Sequence, residues 1–213
     1  ITLYRIDSHS AIARELIDAV INGKRVNVFM EIKARFDEES NLLWSERLSE
    51  AGAHVMHSIP GLKVHAKMYR IVRREGGKLR DYVYLGTGNF NEKTAGLYAD
   101  HGYFTADRDI GKEVSAVFDI LSKRRIGYEF SRLLVAQFNL RSEINRMIDR
   151  EIAHAQAGRP AAILMKMNSL EDPKIIRRLY RASSAGVKIT LIVRGICCLV
   201  PGLEGISQNI TVR

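Results

Sequence analysis

The chain has 213 residues, 46% hydrophobic and 27% charged, enough for one large or two modest domains with real cores. It has no apolar run of about 18 residues, which excludes a helical membrane span. Lysine and arginine (33) outnumber aspartate and glutamate (24), and the net charge of +9 favours anionic partners, although a basic surface alone is compatible with none.

The opening ITLYRIDSHS has no Met and no signal-peptide pattern, and position 1 looks like mid-domain sequence, so a fragment is expected. Ile12, Leu16, Ala19 and Val20 follow Ser8 and Ser10 at helical spacing, and Asn22-Gly23 ends that helix. Val26 to Ile32 reads as a strand buried on both faces. Asp37 caps a helix through Ala51 with Leu43, Trp44 and Leu48 inward, and Ala53 to His57 is another strand. Lys63 to Val72 reads as a strand, with Gly76-Gly77 turning into Tyr82 to Leu85 and a last strand at Tyr103 to Thr105. Asp109 caps a helix with Val114, Val117, Phe118 and Leu121 on one face. Residues 122–130 read as a connection between domains.

A second α/β pattern follows. Ser142 caps a helix stopped by Gly158, and Ala161 to Met167 is a strand. Asp172-Pro173 opens a helix closed by Gly186, Val187 to Val193 is an apolar strand, and the last 20 residues read as loop. Cys197 and Cys198 are adjacent in an apolar run. They exclude a disulfide framework and have no zinc-ligand spacing; the expectation is buried free thiols in a reducing, cytoplasmic setting.

The two patterns are related. Ile12, Leu16, Ala19, Gly23, Val26 and Val28 match Ile175, Leu179, Ala182, Gly186, Ile189 and Leu191, every pair 163 residues apart. The constant offset predicts duplicated α/β domains with parallel strands.

Val64-His65-Ala66-Lys67 carries the chemistry. On a strand, His65 and Lys67 share one face while Val64, Ala66 and Met68 face the core. With Asn89 in the following Gly-rich loop, they offer a nucleophilic imidazole, a cation for phosphate oxygens and amide donors. Attack on phosphorus needs that screening. The competing reading is an edge strand with a solvated basic face. Gly86 to Asn91 reads either as a phosphate-cradling nest or as a plain turn. Arg35, Arg5 and Arg194 follow strands, where ligands bind in parallel α/β sheets. Together they can clamp a polyphosphate; singly each reads as a surface ion pair. Asp37, Glu38 and Glu39 complement a helix dipole or, as the alternative, ligate a metal. Arg70, Arg73, Arg74, Lys78 and Arg80 form a solvated hairpin tip or a polyanion track. His9, His54, His57, His101 and His154 show no ligand spacing.

The strings EIKARFDEESN (31–41), GLKVHAKMYRIVRREGG (61–77) and YLGTGNFNEKTAGLYAD (84–100) closely resemble the polyphosphate kinase family, as do MKMNSLEDPKII (165–176) and AGVKITLIVRGICCL (185–199). His-x-Lys with a Gly-x-Gly-Asn loop is also the half-site of the phospholipase D superfamily, whose fold that family shares. The resemblance implies an α/β, phospholipase D-like mixed sheet flanked by helices, duplicated, the second copy truncated. Residues 1–130 would be the first catalytic domain and 131–213 the amino-terminal part of the second. The phospholipase aspartate, expected five residues after Lys67, is replaced by Val72, which favours the kinase branch.

The family's activity is reversible transfer of the terminal phosphate of ATP to polyphosphate. By resemblance His65 becomes phosphorylated, and Lys67 and Asn89 stabilise the equatorial oxygens. Tyr98 matches the nucleotide-contacting tyrosine and Arg194 a phosphate-contacting arginine. Arg5 and Arg35 match arginines associated with Mg²⁺ and phosphate. A guanidinium has no lone pair for a metal, so both are read as binding phosphate oxygens that hold the ion. A second family histidine lies beyond residue 213. The expected partners are ATP, ADP and polyphosphate, with no nucleic acid, and the full-length parent is expected to be a homo-oligomer. Two rivals remain, a phospholipase D-like phosphodiesterase or nuclease and a non-catalytic polyanion-binding module.

Overall fold

The structure is a computed structural model that describes residues 1–34, 38–57, 59, 61–123 and 125–213. Two compact units divide the chain, Ile1–Tyr128 and Glu129–Arg213.

In the first unit, β1 (Thr2–Leu3), β2 (Asn27–Met30) and β3 (His54–His57) form a parallel sheet in that order. Helix α1 (Ala11–Ile21) connects β1 to β2 and α2 (Glu38–Glu50) connects β2 to β3. Ser10 caps α1 by accepting from the Ala13 amide, and Gly23 turns the chain out of it with φ of 75°. Val28, Phe29 and Met30 are all buried, as expected of a strand covered on both faces. The proposed α2 cap, Asp37, lies outside the described residues. The inward face of α2 is Asn41, Trp44, Ser45 and Leu48, while Leu43 is exposed. Spacings of three and four fix one face, and Leu43 falls off it.

β4 (Lys67–Glu75), β5 (Lys78–Gly86) and β6 (Gly102–Thr105) form an antiparallel sheet. The short α3 (Glu92–Ala95) separates β5 from β6 and was not anticipated. The expected strand from Lys63 begins only at Lys67. Residues 62–66 leave the ladder because their polar groups bond elsewhere. The Val64 amide donates to the Glu31 carboxylate (3.1 Å), and the Ala66 carbonyl accepts from the Thr2 hydroxyl (2.7 Å). The Thr2 hydroxyl also accepts from the Met68 amide, so this one buried side chain joins β1 to β4. Helix α4 (Arg108–Leu121) packs on β5. Its cap is Asp107 rather than Asp109: the Asp107 carboxylate accepts from the Asp109 and Ile110 amides, both at 2.9 Å.

In the second unit, α5 (Leu140–Gln156) precedes a parallel sheet of β7 (Ala162–Met167), β8 (Lys188–Val193) and β9 (Ile210–Val212), with α6 (Pro173–Ser184) between β7 and β8. α5 starts at Asn139 instead of Ser142, because Asn139 ties the preceding turn through the Val135 amide and the Leu133 carbonyl. Asp172 caps α6 with Pro173 in its first turn, and Gly186 leaves it with φ of 94°. The terminal segment contains β9, so it is not all loop; three residues are too few to show a period. Leu179, Ala182, Val187 and Leu191 are fully enclosed. Cys197 is half-buried and Cys198 exposed, against the expectation of two buried thiols; both are free. The strand–helix–strand pattern of α1 and β2 thus recurs in α6 and β8, on the residues that the 163-residue offset relates. Among the described residues no helix is long and apolar enough to cross a membrane.

Candidate functional site

His65 lies on the bend that enters β4, not on the strand, so strand alternation does not set its direction. It is exposed, as is Ala66, which the alternating pattern placed in the core; Val64 and Met68 are buried as expected. Lys67 is buried, and its Nζ donates to the His65 carbonyl at 2.6 Å. The two side chains still converge, on the ring of Tyr4. The His65 and Tyr4 ring centroids are 4.5 Å apart, edge to face, and Lys67 Nζ lies 5.1 Å from the Tyr4 centroid.

This setting fixes protonation. Partial desolvation of the imidazole against its neighbours, though the residue as a whole is exposed, pushes His65 below its ordinary value of 6.5, and the charges of Lys67, Arg5 and Lys63 push it the same way. The imidazole is therefore neutral at pH 7, with a lone pair available. Burial lowers the Lys67 ammonium to about 8; Asp100 opposes the shift and Arg5 adds to it. Both shifts place Arg5 within the electrostatic reach of His65 and Lys67.

The Gly-rich loop begins beside this point, since Lys67 opens β4 opposite Gly86, the last residue of β5. Neither Gly86 nor Gly88 has a positive φ, so the left-handed step of a nest is missing. Their missing side chains serve close approach instead. A Cβ on Gly86 would fall 2.4 Å from the Tyr84 hydroxyl, and one on Gly88 would fall 2.2 Å from the Asp100 carboxylate. Asp100 in turn accepts from the Thr87 hydroxyl at 3.0 Å. The Asn89 Oδ1 is buried and has no hydrogen-bond partner among the described residues. Asn91 caps α3 by accepting from the Thr94 amide.

Tyr98 is exposed on the loop that carries Asp100, its amide bonded to the Thr94 carbonyl. Arg35 lies outside the described residues. Arg194 directly follows β8 in the second unit, where its Nε donates to the Asn168 Oδ1 at 3.0 Å. The hairpin arginines are partly paired: Arg70 with Asp81 and Ser115, Arg73 and Arg80 with Glu75. Among the described residues no three His, Cys, Asp or Glu side chains gather as a metal cage, and guanidinium groups do not ligate cations, so the predicted residues do not fit a protein-held Mg²⁺.

Four contributors escaped the sequence reading. Tyr4 is one, marked only by its place beside Arg5. Asp100 closes the quoted string YLGTGNFNEKTAGLYAD. Glu31 is a buried carboxylate at the end of an apolar strand, where a charge is out of pattern. Asn41 sits on the polar-looking side of α2, yet it is fully buried. Its amide donates to the Tyr4 and Glu31 carbonyls at 2.7 and 2.9 Å, and its Oδ1 accepts from the Ile6 amide at 3.2 Å.

Comparison with known proteins follows the same division of the chain. Residues 1–126 match the family model for polyphosphate kinase C-terminal domain 1, and residues 133–213 that for C-terminal domain 2. The polyphosphate kinase of Vibrio vulnificus strain YJ016 is 50% identical over 212 residues, covering all of this chain and 30% of the relative. Polyphosphate kinase 1 of Chlorobaculum tepidum is 52% identical over 213 residues, and the Escherichia coli K12 polyphosphate kinase 50% over 210, each covering 99% of this chain and 30% of the relative. The crystal structure of polyphosphate kinase from Porphyromonas gingivalis superposes with a TM-score of 0.86 at 47% identity, over 99% of this chain and 35% of that one. The chain thus spans about a third of the length of the relatives it matches.

Proposed function

The chain belongs to the polyphosphate kinase family, and from that premise we propose that the polypeptide carrying it transfers the terminal phosphoryl group of ATP reversibly to inorganic polyphosphate through a phosphohistidine at His65. An imidazole nitrogen attacks the γ-phosphorus in line with its lone pair. The bond to the β–γ bridging oxygen breaks, and ADP leaves with the electron pair. The terminal oxygen of polyphosphate then takes the phosphoryl group and the imidazole is regenerated. Lys67 and Arg5 screen the equatorial oxygens, Asn89 positions them, and Tyr98 contacts the nucleotide. Arg35 and Arg194 bind phosphate. Where Mg²⁺ takes part it would be held by phosphate oxygens, which Arg5 and Arg35 would bind in turn.

One observation carries this reading: an exposed imidazole beside the buried Lys67, whose Nζ lies 2.6 Å from the His65 carbonyl, both side chains meeting the Tyr4 ring. Residues 1–130 act as the first phospholipase D-like catalytic domain and 131–213 as the opening part of the second. By itself the chain binds polyanions weakly and turns over little, because its relatives are about three times as long.

The test is incubation of the complete polypeptide with γ-labelled ATP. Acid-labile, alkali-stable label that disappears in His65→Ala, together with growth of polyphosphate chains, is the expected result. Label that survives in His65→Ala removes His65 from the role of nucleophile. Phosphodiester hydrolysis without chain growth replaces the kinase by a phosphodiesterase.

A further inference from the structure

We propose that Tyr4 is the positioning residue of this site: its ring sets the plane of the His65 imidazole and holds the Lys67 ammonium beside it. The proposal rests on His65 being the phosphoryl acceptor.

The geometry is specific. One aromatic ring meets His65 edge to face at 4.5 Å and Lys67 Nζ at 5.1 Å. Edge-to-face contact orients both rings, since the positive rim of one meets the negative face of the other. An ammonium within about 6 Å of a ring centroid is attracted to that face. His65 stands on an irregular segment, so no strand ladder fixes its direction. The Lys67 Nζ bond to the His65 carbonyl restrains the backbone at that point but not the imidazole plane. Tyr4 fills that gap.

Tyr4 is itself anchored. Its carbonyl accepts from the buried Asn41 amide, which also holds the Glu31 carbonyl, and Glu31 accepts from the Val64 amide just before His65. The end of β1 and the bend into β4 are therefore tied to one framework. Both contacts are made by the Tyr4 ring, so the ring does the positioning. The charged groups acting on the pair are Arg5 and Lys63 on His65, and Arg5 and Asp100 on Lys67.

The test compares Tyr4→Phe, Tyr4→Leu and Tyr4→Ala in the complete polypeptide, with two readouts. The first is the rate of phosphoenzyme formation from γ-labelled ATP. The second needs no nucleotide: the pH midpoint for diethyl pyrocarbonate modification of His65, read by mass spectrometry on the peptide that carries it. Tyr4→Phe keeps both values. Tyr4→Leu keeps the low midpoint, because the apolar wall remains, but lowers kcat on the order of tenfold or more, with KM for ATP unchanged, because orientation is lost. Tyr4→Ala admits water, lowers the rate and raises the midpoint toward the ordinary imidazole value.

A structural role alone lowers the melting temperature and the folded fraction and leaves the kcat of folded enzyme and the midpoint in place. Where Tyr4→Leu does not fold, Tyr4→Met, unbranched and of similar volume, takes its place with the same expectations. A folded Leu or Met variant with wild-type kcat overturns the proposal, as does Tyr4→Phe losing activity. Absence of label in the wild type overturns the phosphohistidine reading instead, and the modification midpoints still report whether Tyr4 shields the imidazole.

Discussion

At the carboxyl ends of β2 and β8 the two units place opposite charges on equivalent backbone. Glu31 and Arg194 are 163 residues apart, the offset that also relates Ile12 to Ile175. Each amide makes a ladder bond to the neighbouring strand, Glu31 to the Leu3 carbonyl and Arg194 to the Met167 carbonyl. From there the side chains part. Glu31 is buried, and its carboxylate accepts from the Val64 and Lys33 amides. Arg194 is exposed, with its Nε held by Asn168. The same sheet position serves as an internal staple in one unit and as an outward-facing cation in the other. Strand ends are where side chains escape the ladder, and local sequence decides whether they turn in or out.

Substitutions at the two positions break or sharpen this contrast. The largest effect is expected for Glu31→Ala, which strands the Val64 and Lys33 amides and costs about 3 kcal/mol in urea denaturation. Arg194→Ala stays within about 0.5 kcal/mol of wild type, as exposed positions do. Similar losses at both would abolish the distinction.

Next in size is Lys67→Met. Lys67 titrates near 8 in the native state and near 10.5 when unfolded. Below pH 8 both states carry the charge, and the native state bears the cost of burying it. Between pH 8 and 10.5 the unfolded chain holds the proton that the native state has released, so wild-type stability rises with pH. Lys67→Met is expected to gain about 2 kcal/mol at pH 7 and to flatten that rise, at the expense of activity. Denaturation midpoints from pH 7 to 10.5 check it; a parallel pH dependence in both proteins would contradict it. His65, also lowered, adds a loss of stability as pH falls below 6.5, because the unfolded chain takes the proton first.

The smallest effect is expected for Asn168→Ala. It leaves stability nearly unchanged and weakens polyphosphate binding by about threefold, measured by calorimetry at fixed salt, because Arg194 loses one orienting bond. A tenfold loss would make Asn168 a phosphate contact in its own right.

Much of this was legible before any fold was known. Ser10, Gly23, Asp172 with Pro173, and Gly186 mark helix ends through local hydrogen bonding and backbone freedom, and the structure keeps each of them. Asp107 displaced the nearby Asp109 because its carboxylate accepts from the first amides of α4, whereas Asn139 precedes α5 ahead of Ser142 with its side chain tied to the preceding turn and no side-chain cap bond. His65 and Lys67 were found by residue type and spacing, yet the strand alternation invoked to align them does not apply at His65. Asn41 and Ser45 on the buried face of α2 broke the apolar pattern because Asn41 satisfies backbone groups from other segments and the Ser45 hydroxyl bonds the His57 ring nitrogen at 2.6 Å.

Composition, local caps and the 163-residue repeat determined the α/β class and the order of the elements, since each depends on residues near one another in the chain. Only the tertiary structure decided that His65 leaves the ladder, that Tyr4 meets both His65 and Lys67, and that Asp100 approaches Gly88. Those contacts join segments distant in sequence, and their protonation depends on burial and on the summed field of neighbours, which spacing along a chain does not encode.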